Sequence, residues 1–114
     1  MRKVKMLLLE ISLVGLLILA SMSMAFAQQR LGGQVTNSTS STQNVNITIC
    51  TQYNDISSET CYATNWQVSN IQPGQTVRFE GNVPPHRVTR IKVYDPRTNK
   101  EWNFNYGGGI YELR

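Results

Sequence analysis

Polar and apolar residues alternate along most of the chain beyond residue 44, which is the pattern of strands with one buried face. Val45, Ile47 and Ile49 alternate with Asn46, Thr48 and Cys50 in a run that reaches Tyr53. A second run spans Cys61 to Val68, with Tyr62, Thr64, Trp66 and Val68 on one face and Cys61 on the other. In a third, Val77 and Phe79 alternate with Arg78 and Glu80 before Pro84 and Pro85 end it, since proline cannot donate to a ladder. Between these two runs, Ile71-Gln72-Pro73-Gly74 is a turn. Proline suits the second position of a tight turn and glycine the third, where φ is positive. Arg87–Asp95 and Lys100–Tyr106 flank Pro96–Asn99 as a hairpin, and Ile110–Leu113 makes a short last strand. Gly107–Gly109 before that strand predicts a bulge or a sharp bend. No segment beyond residue 27 repeats its apolar residues every 3.6 positions. Six or seven short strands predict an all-β fold, a small Ig-like sandwich of antiparallel strands.

The pattern also sets registers. Placing Cys50 opposite Cys61 brings Ile49 to Tyr62, Ile47 to Thr64 and Val45 to Trp66 on one face, with Thr48 at Ala63 and Asn46 at Asn65 on the other. A one-residue slip would turn an apolar set outward. Placing Asp95 opposite Lys100 brings Val93 to Trp102, Ile91 to Phe104 and Thr89 to Tyr106. On the outer face Tyr94 then meets Glu101, Lys92 meets Asn103 and Arg90 meets Asn105. Trp66 and Trp102 fall on inner faces, as core residues. Residues 28–44 read as a polar lead in which Gly33–Asn37 can form an edge strand, so the sandwich core is expected over 45–114.

The N-terminus changes the charge. Arg2, Lys3 and Lys5 precede an apolar stretch from Met6 to Ala20, and Ala25-Phe26-Ala27 supplies an A-x-A ending. That order is a secretory signal over residues 1–27, with cleavage after Ala27. The alternative is an N-terminal membrane anchor. Glu10 and Ser12 interrupt the apolar run, and Leu13–Ala20 is short for a span of about 20 residues. The whole chain is +4. Without the signal, eight basic groups face six acidic ones, a balance of +2. This argues against nucleic acid as a partner. The expected location is secreted or periplasmic, with membrane contact only through an uncleaved signal.

Cys50 and Cys61 are the only cysteines. With the single His86 they make a poor metal set, because zinc takes three or four ligands. Their spacing is also too long for a thioredoxin-type C-x-x-C. In an exported chain the pair reads as one disulfide, closing a loop whose tip, Asn54–Ser58, carries turn-forming residues.

The remaining polar residues offer no catalytic set. His86 lies among prolines without a neighbouring nucleophile or orienting carboxylate, so no catalytic residue is assigned. Asp55 and Glu59 share the loop between the cysteines, but Ca²⁺ wants more oxygens than two carboxylates give. No metal or other cofactor is expected. Arg78, Arg87, Arg90, Lys92 and Arg97 are the basic residues of interest. Arg90 and Lys92 share an outer face with Tyr94, a stripe suited to an anionic glycan, a lipid head group or an acidic protein of the cell envelope.

The order Gly33-x-Val35-x-Asn37, Ile71-x-Pro73-Gly74-x-Thr76-x-x-Phe79 and Ile91-Lys92-Val93-Tyr94 resembles the FxLYD-type domains of prokaryotic exported proteins. The resemblance covers about residues 32–95. The string that names those domains is absent, since Glu80 follows Phe79. It implies a small Ig-like sandwich acting as an exported accessory or interaction module, with no catalytic residues to carry over. The expectation is therefore a non-catalytic binding module whose contacts are Arg90, Lys92, Tyr94, Asp55 and Glu59. A surface subunit that assembles by strand or edge pairing, with residues 28–44 as the donated strand, is one alternative. A small secreted enzyme inhibitor is another.

Overall fold

The structure is a computed structural model describing residues 28–114. The expected signal at residues 1–27 lies outside the described residues. Eight strands follow one another: β1 (Gln29–Asn37), β2 (Gln43–Gln52), β3 (Thr60–Ala63), β4 (Ser69–Ile71), β5 (Thr76–Val83), β6 (Arg87–Tyr94), β7 (Glu101–Phe104) and β8 (Ile110–Leu113). They form two sheets, β5-β1-β8 and β3-β2-β6-β7, with β4 also paired to β2. The fold is an all-β sandwich.

Alternation builds the core. Val45, Ile47 and Ile49 of β2 and Ile91 and Val93 of β6 are fully buried. Facing them are Val35 of β1, Val77, Phe79 and Val83 of β5, and Tyr111 and Leu113 of β8. Each such side chain stabilises the fold by about 1.5–3 kcal/mol. Trp66 and Trp102 are half-buried and pack against this cluster, as expected of inner-face residues. The turn before β5 also has the expected form: Gly74 has φ 79°, and Gln75 N–H donates to Gln72 O at 3.0 Å.

Three expectations need correction. First, the strand foreseen at an edge over Gly33–Asn37 begins at Gln29 and is the middle strand of its sheet. The lead looks polar because its inward residues include Asn37, which is fully buried. That carboxamide donates to Ile71 O and Ser41 O, both at 2.8 Å, and accepts from Thr39 N–H at 2.9 Å. A fully satisfied buried amide substitutes for an apolar side chain. β1 pairs with β8 in parallel, so the strands are not all antiparallel.

Second, the run from Cys61 to Val68 is not one strand. Cys50–Cys61, Ile49–Tyr62 and Thr48–Ala63 pair as expected. Beyond Ala63 the chain leaves the ladder and returns as β4, so Val45 faces Ser69 instead of Trp66. Asn65 crosses to β5, where its N–H donates to Glu80 O at 2.9 Å. Its side-chain oxygen accepts from Glu80 N–H at 2.7 Å, so it does not lie opposite Asn46. These bonds satisfy the backbone outside the ladder, which removes the need for a continuous strand. Third, the β6–β7 register holds from Ile91–Phe104 to Tyr94–Glu101 but stops there. Thr89 and Arg90 therefore do not pair with Tyr106 and Asn105.

Gly32 marks a close approach of β1 to β5. A Cβ there would lie 2.6 Å from the backbone oxygen of Phe79. Gly32→Ala forces the two strands apart and is expected to cost about 1–3 kcal/mol, read as a lowered urea midpoint.

Candidate binding surface

Cys50 and Cys61 face each other across β2 and β3 and form a disulfide, with S–S 2.04 Å and Cα–Cα 3.9 Å. The bond closes the loop that holds Tyr53, Asp55, Ile56 and Glu59. Inside the loop the Asn54 side-chain oxygen accepts from Ile56 N–H at 3.1 Å and Ser57 N–H at 2.8 Å. Gln52 Nε2 donates to Ser57 O at 2.7 Å. A carboxamide that bonds its own backbone two and three residues on fixes a turn. The loop is held at its base and at its tip.

Two apolar side chains stand on this fixed frame. Ile56 is 94% exposed and Tyr53 71% exposed. The Tyr53 ring meets His86 edge-on, with centroids 5.0 Å apart, and Pro85 beside it is exposed. His86 thus packs on an aromatic ring. The sequence pattern alone singles out neither Tyr53 nor Ile56. The signal was there: an isoleucine within Asn54-Asp55-Ile56-Ser57-Ser58 has no strand to turn it inward.

Asp55 and Glu59 do not come together. Asp55 lies 3.7 Å from Arg87 at the exposed tip. Glu59 turns back onto the sheet, where it accepts from the Thr89 hydroxyl and from Arg90 Nε at 3.0 Å. Arg90, Lys92 and Tyr94 share the outer face of β6 as expected, but the stripe is not a free basic patch. Arg90 Nη2 sits 2.8 Å from Glu59, and Lys92 Nζ 3.1 Å from Glu101. Lys92 also lies over the Tyr94 ring at 4.8 Å. Two carboxylates neutralise two cations. The other basic residues are scattered: Arg78 is on the opposite sheet, Arg87 at the loop tip, and Arg97 3.9 Å from Asp95 in the β6–β7 turn. Glu59 Oε1 also lies 3.9 Å from Cys61 Sγ, but both sulfurs are in the disulfide, so no thiolate remains there to hold a metal.

The network sets the acidity of both glutamates. The Thr89 hydroxyl, opposed by partial desolvation and aided by Arg90, holds Glu59 below its ordinary value. The Asn103 amide, followed by Lys92, does the same for Glu101. A carboxylate whose pKa is lowered on folding contributes stability above its unfolded value, about 4.3 for glutamate. That contribution is lost as pH falls through the lower folded value. The unfolding midpoint is therefore expected to fall between about pH 5 and pH 3, with a shallower slope in Glu59→Gln. At neutral pH the same substitution costs less than about 1 kcal/mol, because the pair is partly exposed. Thermal scans across that pH range check both.

Fold and surface together define a disulfide-stapled, all-β sandwich that presents a rigid apolar loop tip beside a charge-neutral sheet face. Family models, curated proteins and solved structures give no match to this chain. Among the described residues no helix is long and apolar enough to cross a membrane. The disulfide is compatible with an oxidising, exported location.

Proposed function

We propose that this chain is a non-catalytic, exported Ig-like module that binds a protein of the cell envelope or extracellular space through its stapled loop. The observation that carries the reading is Ile56, nine-tenths exposed at the tip of a loop pinned by a disulfide and an asparagine turn. An apolar anchor on a pre-ordered loop loses little entropy on binding, and a few well-packed central residues, tyrosine among the commonest, dominate a contact's energy, a part that Tyr53 beside Ile56 can take. Tyr53, Pro85 and His86 extend the apolar surface, and Asp55, Arg87 and Glu59 give it a polar rim. Loops on rigid scaffolds commonly carry recognition.

Export is supported by the basic, apolar and A-x-A order of residues 1–27 and by a disulfide that suits an oxidising compartment. The segments that resemble FxLYD-type domains support an accessory or interaction role. Assembly by donating residues 28–44 has little support, because β1 is already the middle strand of its own sheet.

Two measurements test the reading. The intact mass of the native protein is expected to begin at Gln28 and to take up alkylating agent only after reduction. A chain that retains residues 1–27 contradicts cleavage. For binding, the purified protein should capture a partner from the envelope fraction that Ile56→Asp fails to capture. Arg90→Glu should reduce capture much less. Equal capture by wild type and Ile56→Asp overturns the assignment of the loop.

A further inference from the structure

The outer face of the larger sheet carries a hollow that the loop-tip reading leaves unused. Its volume is about 200 Å³, and Asn46, Thr48, Ala63, Gln67, Val68 and Tyr94 line it. Thr48 and Ala63, paired across β2 and β3, make the floor, and Lys92 on β6 flanks Thr48 on the other side. The wall is the arch between β3 and β4, where the chain leaves the ladder.

That arch is held in an unfavourable conformation. Val68 has φ 44°, and a β-branched residue in the left-handed region is a true outlier. It is nonetheless 56% exposed, so burial of its own side chain does not account for it. Its N–H donates to Asn46 Oδ1 at 2.5 Å, which fixes the arch and the asparagine together. Backbone strain of this kind concentrates at binding sites.

The chemistry of the hollow selects a ligand class. Among the described residues no charged side chain lines it, and Lys92, which flanks Thr48, is paired with Glu101. This favours an uncharged ligand. The β2 backbone beneath the hollow is bonded on both sides, to β6 and to residues 63–66, and the open edge of β3 faces away from β2, so an extended peptide lying in the hollow would find no edge to pair with. Recognition must come from side chains. Asn46 uses its oxygen on Val68 and Gln67 donates to Thr64 O at 3.3 Å, while the Asn46 NH₂ and the Gln67 side-chain oxygen have no partner among the described residues. The Tyr94 hydroxyl has no partner among the described residues. Free donors and acceptors of this kind match hydroxyls, each of which both gives and takes a hydrogen bond. Tyr94, Val68 and Ala63 supply an apolar surface beside them. Polar edges joined to an apolar C–H face describe a sugar ring. The volume lies below the roughly 300–1,000 Å³ of pockets that enclose larger ligands, so one ring of a longer chain is the fitting unit.

We infer that the hollow between Tyr94 and the Val68 arch binds a single uncharged pyranose residue of a glycan, independently of the loop tip. The test is an amide-resolved NMR titration of residues 28–114, disulfide intact, with chitotriose, maltotriose and a trigalacturonate of matched length. At least one neutral trisaccharide is expected to give saturable shifts at millimolar concentration, centred on residues 46–48, 63–68 and 92–94. Ala63→Leu, a change on an exposed strand position, fills the hollow and should weaken binding at least tenfold while leaving the remaining spectrum unchanged. Ile56→Asp should bind sugar as the wild type does, which separates this site from the proposed protein contact. Three results overturn the inference: no saturable shift with either neutral sugar, unchanged binding in Ala63→Leu, or tighter binding of the trigalacturonate at the same residues.

Discussion

Phe79→Ala is expected to destabilise the sandwich by about 3–5 kcal/mol. Phe79 is fully buried, and its partner in the β1–β5 ladder is Gly33. The ring fills the space that a residue 33 side chain would otherwise occupy: a Cβ on Gly33 would lie 3.1 Å from Phe79 Cζ. Tyr111 packs beside it with centroids 6.2 Å apart. Truncation would leave a void bordered by a glycine on one side and a ring already packed on Phe104 on the other. Neither neighbour can move in to fill it, so the full cavity cost applies. A domain of this size has only a few kcal/mol to lose, and the variant should be partly unfolded at room temperature. Urea unfolding followed by tryptophan fluorescence reads the change. A loss below about 1 kcal/mol would mean that Phe79 is not the plug of the core.

Reducing the Cys50–Cys61 bond is expected to cost about 2–3 kcal/mol. The bond joins residues 11 positions apart and removes the loop-closure freedom of that segment from the unfolded chain. It also acts locally. β3 has only four residues and is an edge of its sheet, so without the bond its ends should fray. The melting temperature should fall by about 10–20 °C on reduction, given about 4–8 °C per kcal/mol at this size. Hydrogen exchange should speed first in Thr60–Ala63 and the loop before it. Unchanged melting would contradict a structural role for the bond.

The sequence showed most clearly what alternation controls. The inner faces of β2, β5 and β6, the Cys50–Cys61 register and the β6–β7 hairpin are all set by side chains that alternate about a half-buried sheet. β1 was harder to read because a buried amide, Asn37, takes an apolar position. Its satisfaction depends on Ser41 and Ile71, one near and one distant in sequence. The break after Ala63 was hidden because Thr64, Trp66 and Val68 continue the alternation. Thr64 N–H still reaches Ile47 O, but Ile47 N–H bonds to Trp66 O, and contacts with Glu80 and Asn46 show that the chain has left the ladder. The surface suffered from the same limit. Arg90 and Lys92 were legible as a stripe, but their neutralisation depends on Glu59 and Glu101, whose approach follows from the loop closure and the hairpin register together. Strain at Val68 leaves no trace in residue type.

The most direct test of the loop as the recognition surface is photo-crosslinking in intact cells. A photoreactive residue replaces Ser58, exposed beside Ile56, or Arg78, exposed on the opposite sheet. The account predicts a covalent adduct with one envelope or extracellular protein from position 58, none with that protein from position 78, and loss of the adduct when Ile56→Asp is added. The same adducts from both positions, or none from position 58, would contradict it.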